Sequence, residues 1–423
     1  MAISTGARAA DAVVPYEPAA QGFNWSGFYL GVGGGFGAVV HEVSSPVFLP
    51  GASLNGIGGE GVFGEITAGY DYVFSNRFLV GGFVDGRFGN IGPDLDLTLG
   101  GTLNASVENS YGFDAGLRLG YLVTPTTLGY LLGGYSWQKF EFDTNIPGLN
   151  EDWDRSGFIV GVGMETVITG NWTLKTEYRY ADYGTQAFFP IPGAAGNGLE
   201  LDASTHTFHV GANYRFGAQD GAVASFETPA YDFTGFYVGG AVGAGAVVHD
   251  LDLNLAPGVG LGFNGLGGEG IFGELSVGYD HEFSNRFVAG IMVDGNLSGI
   301  SSELDLGPII GPGSVNVDAE YGFDILARLG MKLTDSSMAY VTGGYSFAHF
   351  DLNASGAGSI YDWDANGFSV GGGLEAGLNE NLAVNLEYRY SQFEDEDFGS
   401  GGFFTVEPSF HTVRIGAKWK FRP

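Results

Sequence analysis

The sequence predicts an all-β fold: a transmembrane antiparallel β-barrel, present as two tandem eight-stranded barrels. Three observations predict it. The chain repeats itself once over most of its length. Its segments alternate apolar residues with small or charged ones. Short joints between those segments alternate with long ones.

The repeat is read directly from the residues. Ser26-Gly-Phe-Tyr-Leu-Gly returns as Thr234-Gly-Phe-Tyr-Val-Gly, and Gly58-Gly-Glu-Gly-Val-Phe-Gly-Glu as Gly267-Gly-Glu-Gly-Ile-Phe-Gly-Glu. Phe74-Ser-Asn-Arg-Phe returns from Phe283, and Glu177-Tyr-Arg-Tyr from Glu387. Each copy is domain-sized, so this is duplication of a domain and not a solenoid repeat. The division expected is an N-terminal segment 1–22, a first barrel 23–216, a linker 217–232 and a second barrel 233–423. The linker carries small residues and Pro229, like the stretch before the first copy, so the duplication includes the lead-in.

Within a copy the alternation has period two. Tyr111, Phe113, Ala115, Leu117, Leu119 and Tyr121 share one face, opposite Gly112, Asp114, Gly116, Arg118 and Gly120. Trp172, Leu174, Thr176, Tyr178 and Tyr180 oppose Thr173, Lys175, Glu177 and Arg179; His206 to Phe216 behaves likewise. Such sets form a two-faced strand, whereas a helix would scatter them. Eight runs are expected in the first copy: 27–43, 59–74, 77–92, 108–123, 126–143, 155–169, 171–184 and 204–216. Joints at Ser75-Asn76, Thr124-Pro125 and Gly170-Asn171 are short, and those at 44–58, 93–107, 144–154 and 185–203 are long. Tight turns on one side and long loops on the other are the layout of a membrane barrel. A soluble sandwich would instead need a second apolar layer on the inner face.

Composition excludes other classes. No stretch holds the roughly 20 consecutive apolar residues of a spanning helix: Leu119 to Gln138 and Ala19 to Val40 are broken by glycines or Pro125. With a net charge of −31, nucleic-acid binding is not expected. The absence of Cys leaves no disulfide framework and no thiolate metal site. Ala7-Arg8-Ala9 before Ala10 has the look of a signal-peptidase site without its apolar region, so a precursor with more residues upstream is expected.

The small face repeats its ionisable residues. Glu65, Asp85, Asp114, Arg118, Glu165, Glu177 and Arg179 return as Glu274, Asp294, Asp324, Arg328, Glu375, Glu387 and Arg389. Facing lipid they would be destabilising; inside a narrow barrel they can pair as a mixed-sign cluster. Two readings stand: a structural charge network that plugs the lumen, or a gated, ion-conducting lumen. An eight-stranded interior is only wide enough for side chains, which favours the plug. The alternative architecture is one sixteen-stranded barrel, a diffusion porin, in which the same residues would line water.

Trp25-Ser-Gly-Phe-Tyr-Leu-Gly, Glu177-Tyr-Arg-Tyr and the ending His206 to Phe216 resemble the small outer-membrane surface-antigen barrels of alphaproteobacteria, which are similar to OmpA and OmpX in their eight-stranded fold. The resemblance covers nearly the whole chain, once per copy. It implies a cell outer-membrane location, exposed loops and an envelope or surface-interaction role without catalysis. The partners it implies are outer-membrane lipid and lipopolysaccharide, the barrel-assembly machinery, and a host or surface ligand at the loops. His411 to Phe421 resembles the C-terminal assembly signal of such proteins, with Arg422-Pro423 as a departure.

Other motifs carry less. Gly31-Val-Gly-Gly-Gly-Phe-Gly lacks the helix and following Lys-Ser/Thr of a nucleotide loop, so no cofactor is expected. Asp152-Trp-Asp, Asp362-Trp-Asp and the run Glu394-Asp-Glu-Asp match no Ca²⁺ loop spacing and read as solvated loop charge, so no metal is expected. His41 and His249 recur at the outer end of the first strand, and His206 and His411 in the last. A barrel lipase would need a serine and a carboxylate tied to one of them, and no pattern supplies that tie.

Overall fold

Runs rich in Phe, Tyr, Val and Gly with a two-residue period can satisfy their backbone only through neighbouring strands, and a closed ladder leaves no edge. The computed structural model describes residues 23–44, 53–99, 102–146, 150–190, 197–219, 231–256, 259–283, 286–305, 314–398 and 404–421. The first copy holds β1 (Gly27–Ser44), β2 (Ser53–Val73), β3 (Phe78–Ile91), β4 (Asp94–Leu99), β5 (Thr102–Thr124), β6 (Thr127–Thr144), β7 (Glu151–Thr169), β8 (Trp172–Pro190) and β9 (Asn197–Arg215). The second holds β10 (Gly235–Ala256), β11 (Val259–Glu282), β12 (Phe287–Asp305), β13 (Ser314–Lys332), β14 (Ser337–Ala354), β15 (Gly358–Gly377), β16 (Leu382–Phe393), β17 (Glu396–Phe398) and β18 (Phe404–Lys420).

Two closures decide the architecture. β9 returns to β1, with Tyr29 opposite Arg215 and Ser44 opposite Glu200. β18 returns to β10, with Tyr237 opposite Lys420. Consecutive walls pair antiparallel in between; β4 continues the β3 wall along β5, and β17 continues β16 along β18. Each copy is therefore an eight-walled barrel closed on itself, and the sixteen-stranded alternative is not what forms. The physical reason is local: each copy supplies a first and last strand whose ladders match over their full length.

Several walls run further than the period-two runs suggested. β2 starts at Ser53, β5 at Thr102, β7 at Glu151 and β9 at Asn197, and β8 reaches Pro190, all on the long-joint side. Much of 44–58, 93–107, 144–154 and 185–203 is thus ladder, because antiparallel pairing goes on satisfying backbone groups beyond the apolar belt. Most of the remainder of those joints, the Ala7–Ala10 site and most of the linker lie outside the described residues. The turn side is as short as expected, and the equivalent turns after β2 and β11 each hold an arginine with positive φ, Arg77 at 72° and Arg286 at 73°.

The outward face forms an apolar belt. On β5 the exposed residues run from Tyr111 through Leu117 and Leu119 to Tyr121, about the 9–11 residues needed to cross hydrocarbon. One part of that face does not meet lipid. Met164, Phe208, Leu374, Leu386, Tyr388 and Val413 sit at outward positions yet are buried, in one cluster drawn from both barrels. The barrels pack side by side there, and Phe208 stacks on Tyr388 with centroids 4.9 Å apart.

Candidate functional site

Three places concentrate polar chemistry: the two lumens and the seam between the barrels on the loop side.

In the first lumen the alternation aims every other side chain at the axis, where the barrel is too narrow for bulk water. On the turn side four groups form a closed square. Arg118 Nε donates to Asp71 at 2.7 Å and its Nη1 to Glu165 at 3.1 Å. Arg215 reaches the same two carboxylates, Asp71 at 2.8 Å and Glu165 at 2.9 Å. In the middle, Lys175 Nζ meets Glu65 at 2.8 Å, His209 Nδ1 lies 2.7 Å from the other oxygen of Glu65, and Tyr130 donates to Glu177 at 2.6 Å. Towards the loops, Arg179 joins Asp85 at 2.7 Å and Asp114 at 2.8 Å, and Arg87 joins Asp114 at 2.8 Å.

The second lumen repeats this scheme with two of its cations in the same places and others moved. Arg328 bridges Asp280 at 2.8 Å and Glu375 at 2.5 Å. Arg389 bridges Asp324 at 2.5 Å, Asp294 at 3.1 Å and Glu387 at 2.8 Å. Tyr340 donates to Glu387 at 2.9 Å. Each lumen buries six carboxylates, and among the described residues five Lys or Arg side chains face them in each. All fourteen residues singled out by the repeat point inward into these networks. The charge pattern did not single out Asp71, Asp280, Arg87, Lys175, His209, Arg215, Arg414, Lys418 and Lys420. Asp71 and Asp280 recur at the same offset and were legible, and so was the basic position opposite Tyr29 and Tyr237, Arg215 in one copy and Lys420 in the other; Arg87 and Lys175 were not, because Asn296 and Asn385 stand in their places in the second copy. Lys175 on β8 holds Glu65, whereas Asn385 occupies its place in the second copy and Arg414 on β18 holds Glu274 at 3.0 Å.

Aromatics close both ends of each lumen. Trp25 is buried at the turn end, donating from Nε1 to the carbonyl of Pro125 at 3.0 Å, with the Arg215 guanidinium 4.6 Å from its ring. Phe233 stands in its place in the second copy, accepting from Lys420 through its carbonyl. At the loop end Phe140 stacks on Trp153 at 5.7 Å, and Phe350 on Trp363 at 5.1 Å. The residues just before β1 and β10, Trp25 and Phe233, thus cap the turn end of each barrel. His41 and His249 are buried against this loop-end cap, 6.3 Å from the Phe140 and Phe350 rings.

The seam relates the copies by an approximate two-fold axis. His206 Nε2 lies 2.7 Å from Glu269, and its counterpart His411 lies 2.5 Å from Glu60, the counterpart of Glu269. Gly58 and Gly267, also counterparts, face each other across the axis; a Cβ on Gly58 would stand 3.0 Å from the Gly267 Cα, and one on Gly267 3.1 Å from the Gly58 Cα. Glycine is required there by this backbone approach. Above them the two sheets join. Val259 to Phe263 of β11 pairs with Leu99 to Leu95 of β4, and Glu303 to Asp305 of β12 with Asn55 to Ser53 of β2. Beside this junction Glu42, Asp182, Asp202, Glu269 and Glu303 line one cleft. Burial raises the Glu42 carboxyl above its ordinary range, and Asp202 and Glu303 add to the rise.

On the loop side Asp152 pairs with Lys139 at 2.5 Å and Asp364 with His349 at 2.7 Å. Among the described residues no group of three or more His, Asp or Glu is arranged to hold a metal ion.

The chain is similar to known outer-membrane proteins. The family described as "Outer membrane protein beta-barrel domain" matches residues 9–216 and again 221–421. Over 231 residues the chain is 29% identical to the 31 kDa outer-membrane immunogenic protein of Brucella melitensis, covering 50% of this chain and 95% of that protein. It is 28% identical over 192 residues to a 22 kDa outer membrane protein of Rhizobium leguminosarum, covering 44% of this chain and 76% of that protein. Among solved structures, Ail, the attachment invasion locus protein of Yersinia pestis, is 13% identical, with 44% of this chain and 99% of that chain covered and a TM-score of 0.26.

Proposed function

This chain belongs to the outer-membrane protein β-barrel domain family, and on that premise we propose that it works at the cell surface, as a rigid double barrel that presents its loop side to ligands outside the cell. It is an outer-membrane protein with two membrane-spanning barrels. The observation that carries the surface reading is the filled interior. Each lumen is occupied by a buried ion-pair network and capped by aromatics at both ends, so the barrel supplies a stalk and the exposed loop side supplies recognition. The charge network is read as structural: its cations and carboxylates form ion pairs that neutralise what would otherwise be isolated buried charge.

The names of the relatives support this reading, since a protein that raises an immune response displays accessible segments. Loop-side strands stitched across the seam hold the two sets of loops in fixed relation, which suits one ligand spanning both. Outer-membrane lipid and lipopolysaccharide surround the belt, and the terminal strand to Phe421 is the segment offered to the assembly machinery. No lumen or seam residue is assigned to catalysis.

The reading is tested on intact cells displaying the full chain. Deleting 191–196 and 399–403 together should abolish adherence to host-cell monolayers while leaving heat-modifiable gel migration intact. Unchanged adherence, or large stable conductance steps from the purified protein in planar bilayers, would overturn it; the second result would favour a porin.

A further inference from the structure

We propose that the lateral groove between the two barrels binds the acyl chain of an outer-leaflet lipid. The groove has a volume of about 630 Å³ and lies along the seam. Its walls are residues of the lipid-facing register from both copies: Phe36, Val62 and Val210 on one side, Val341 and Val370 on the other. Val62 and Val341 are each 59% exposed, so the groove opens sideways into the same hydrocarbon that covers the belt. Its floor is the buried inter-barrel cluster, including Phe208, Leu374 and Tyr388. The run Gly371-Gly-Gly adds a stretch of wall with no side chains, which gives a narrow trench.

The loop-side end fixes which leaflet. There the groove stops at the Glu60–His411 pair and the Tyr390 ring. These are the groove's polar groups nearest the loops, at the level where the belt gives way to the loop-side ladders. An occupant must enter from lipid, be apolar and slender along its length, and end near that pair. Among the described residues no Lys or Arg lines the groove, so the chain is gripped by apolar contact and not by an anionic headgroup clamp. The groove continues the protein–lipid surface inward, and no single barrel of either copy could form it alone.

The test uses the full chain in vesicles of phosphatidylethanolamine and phosphatidylglycerol, doped with phosphatidylethanolamine carrying a diazirine in its acyl chain. After illumination the crosslinked peptides are mapped by mass spectrometry. Labelling of the peptides bearing Val341, Val370 and Val62 should exceed by several-fold that of the peptide bearing Val84, an outward residue of β3 that is 55% exposed. Val370→Trp fills the groove and should abolish the excess without changing labelling at Val84. Val341→Trp is the second variant, and heat-modifiable migration certifies that each has folded. Uniform labelling around the belt, or an excess that survives both substitutions, overturns the proposal. Neither result bears on the loop-side reading, whose test is adherence.

Discussion

Arg118 stands between Asp71 and Glu165, and all three are buried. Removing one partner of a buried ion cluster leaves charge without compensation, at a cost of about 3–5 kcal/mol. Arg118→Ala should therefore lower the temperature at which the folded gel band converts to the unfolded one, and an unchanged conversion temperature would contradict the closed square. The two copies supply a subtler test. Glu65 is held by Lys175 where Glu274 is held by Arg414, and the vacated positions are Asn385 and His209. Lys175→Asn alone should destabilise the first barrel. Adding His209→Arg should restore much of the loss, because it transplants the arrangement of the second lumen. Failure of the double variant to recover would mean that the two networks are not interchangeable. The carboxylates were legible in the sequence as fixed positions on the inward face. Arg118 and Arg179, which return as Arg328 and Arg389, were legible in the same way; the remaining cations were less so, since several strands present an inward residue at the same height and any of them can carry the charge.

At the level of elements, the loop-side extensions of β2, β4, β11 and β12 matter most, because they pair across the seam. The cleft beside them gathers carboxylates, and its charge works against docking. The Glu42 carboxyl is raised in the folded protein by burial first and by Asp202 and Glu303 next. A raised carboxyl contributes stability that is fully present below its unfolded value, near pH 4, and is lost as pH rises through the folded value. Glu42→Gln should thus stabilise the protein at neutral pH and change little in acid. Solvent limits the gain to about 1 kcal/mol or less. Thermal unfolding in detergent at both pH values measures it, and a variant less stable at neutral pH would refute the sign. Period-two counting located these strands but ended them early: the apolar signal fades past the belt, whereas the hydrogen-bonded ladder does not.

For the whole molecule, the seam predicts that the halves hold together without a covalent link. A protease site placed within 220–230 and cut in the folded protein should leave both halves comigrating in an unheated gel and separating on boiling. Comigration lost without heating would mean that the apolar cluster around Phe208, Leu374 and Tyr388 does not bind the barrels by itself. Replacing Gly58 with Leu should split the same cut protein, since the backbones meet there with no room for a side chain.

The amino-acid pattern alone determined the strand class, the duplication, the inward and outward faces and the short turns, because each follows from a period of two or from a fixed offset along the chain. Tertiary structure alone decided which cation meets which carboxylate, that each copy closes on itself, and that part of the outward face is a protein seam instead of a lipid surface. Leu174 and Tyr178 show why: they occupy the same register as Trp172, which is exposed, and the second barrel covers them. A residue's register tells it to face out; only the placement of another barrel settles what it finds there.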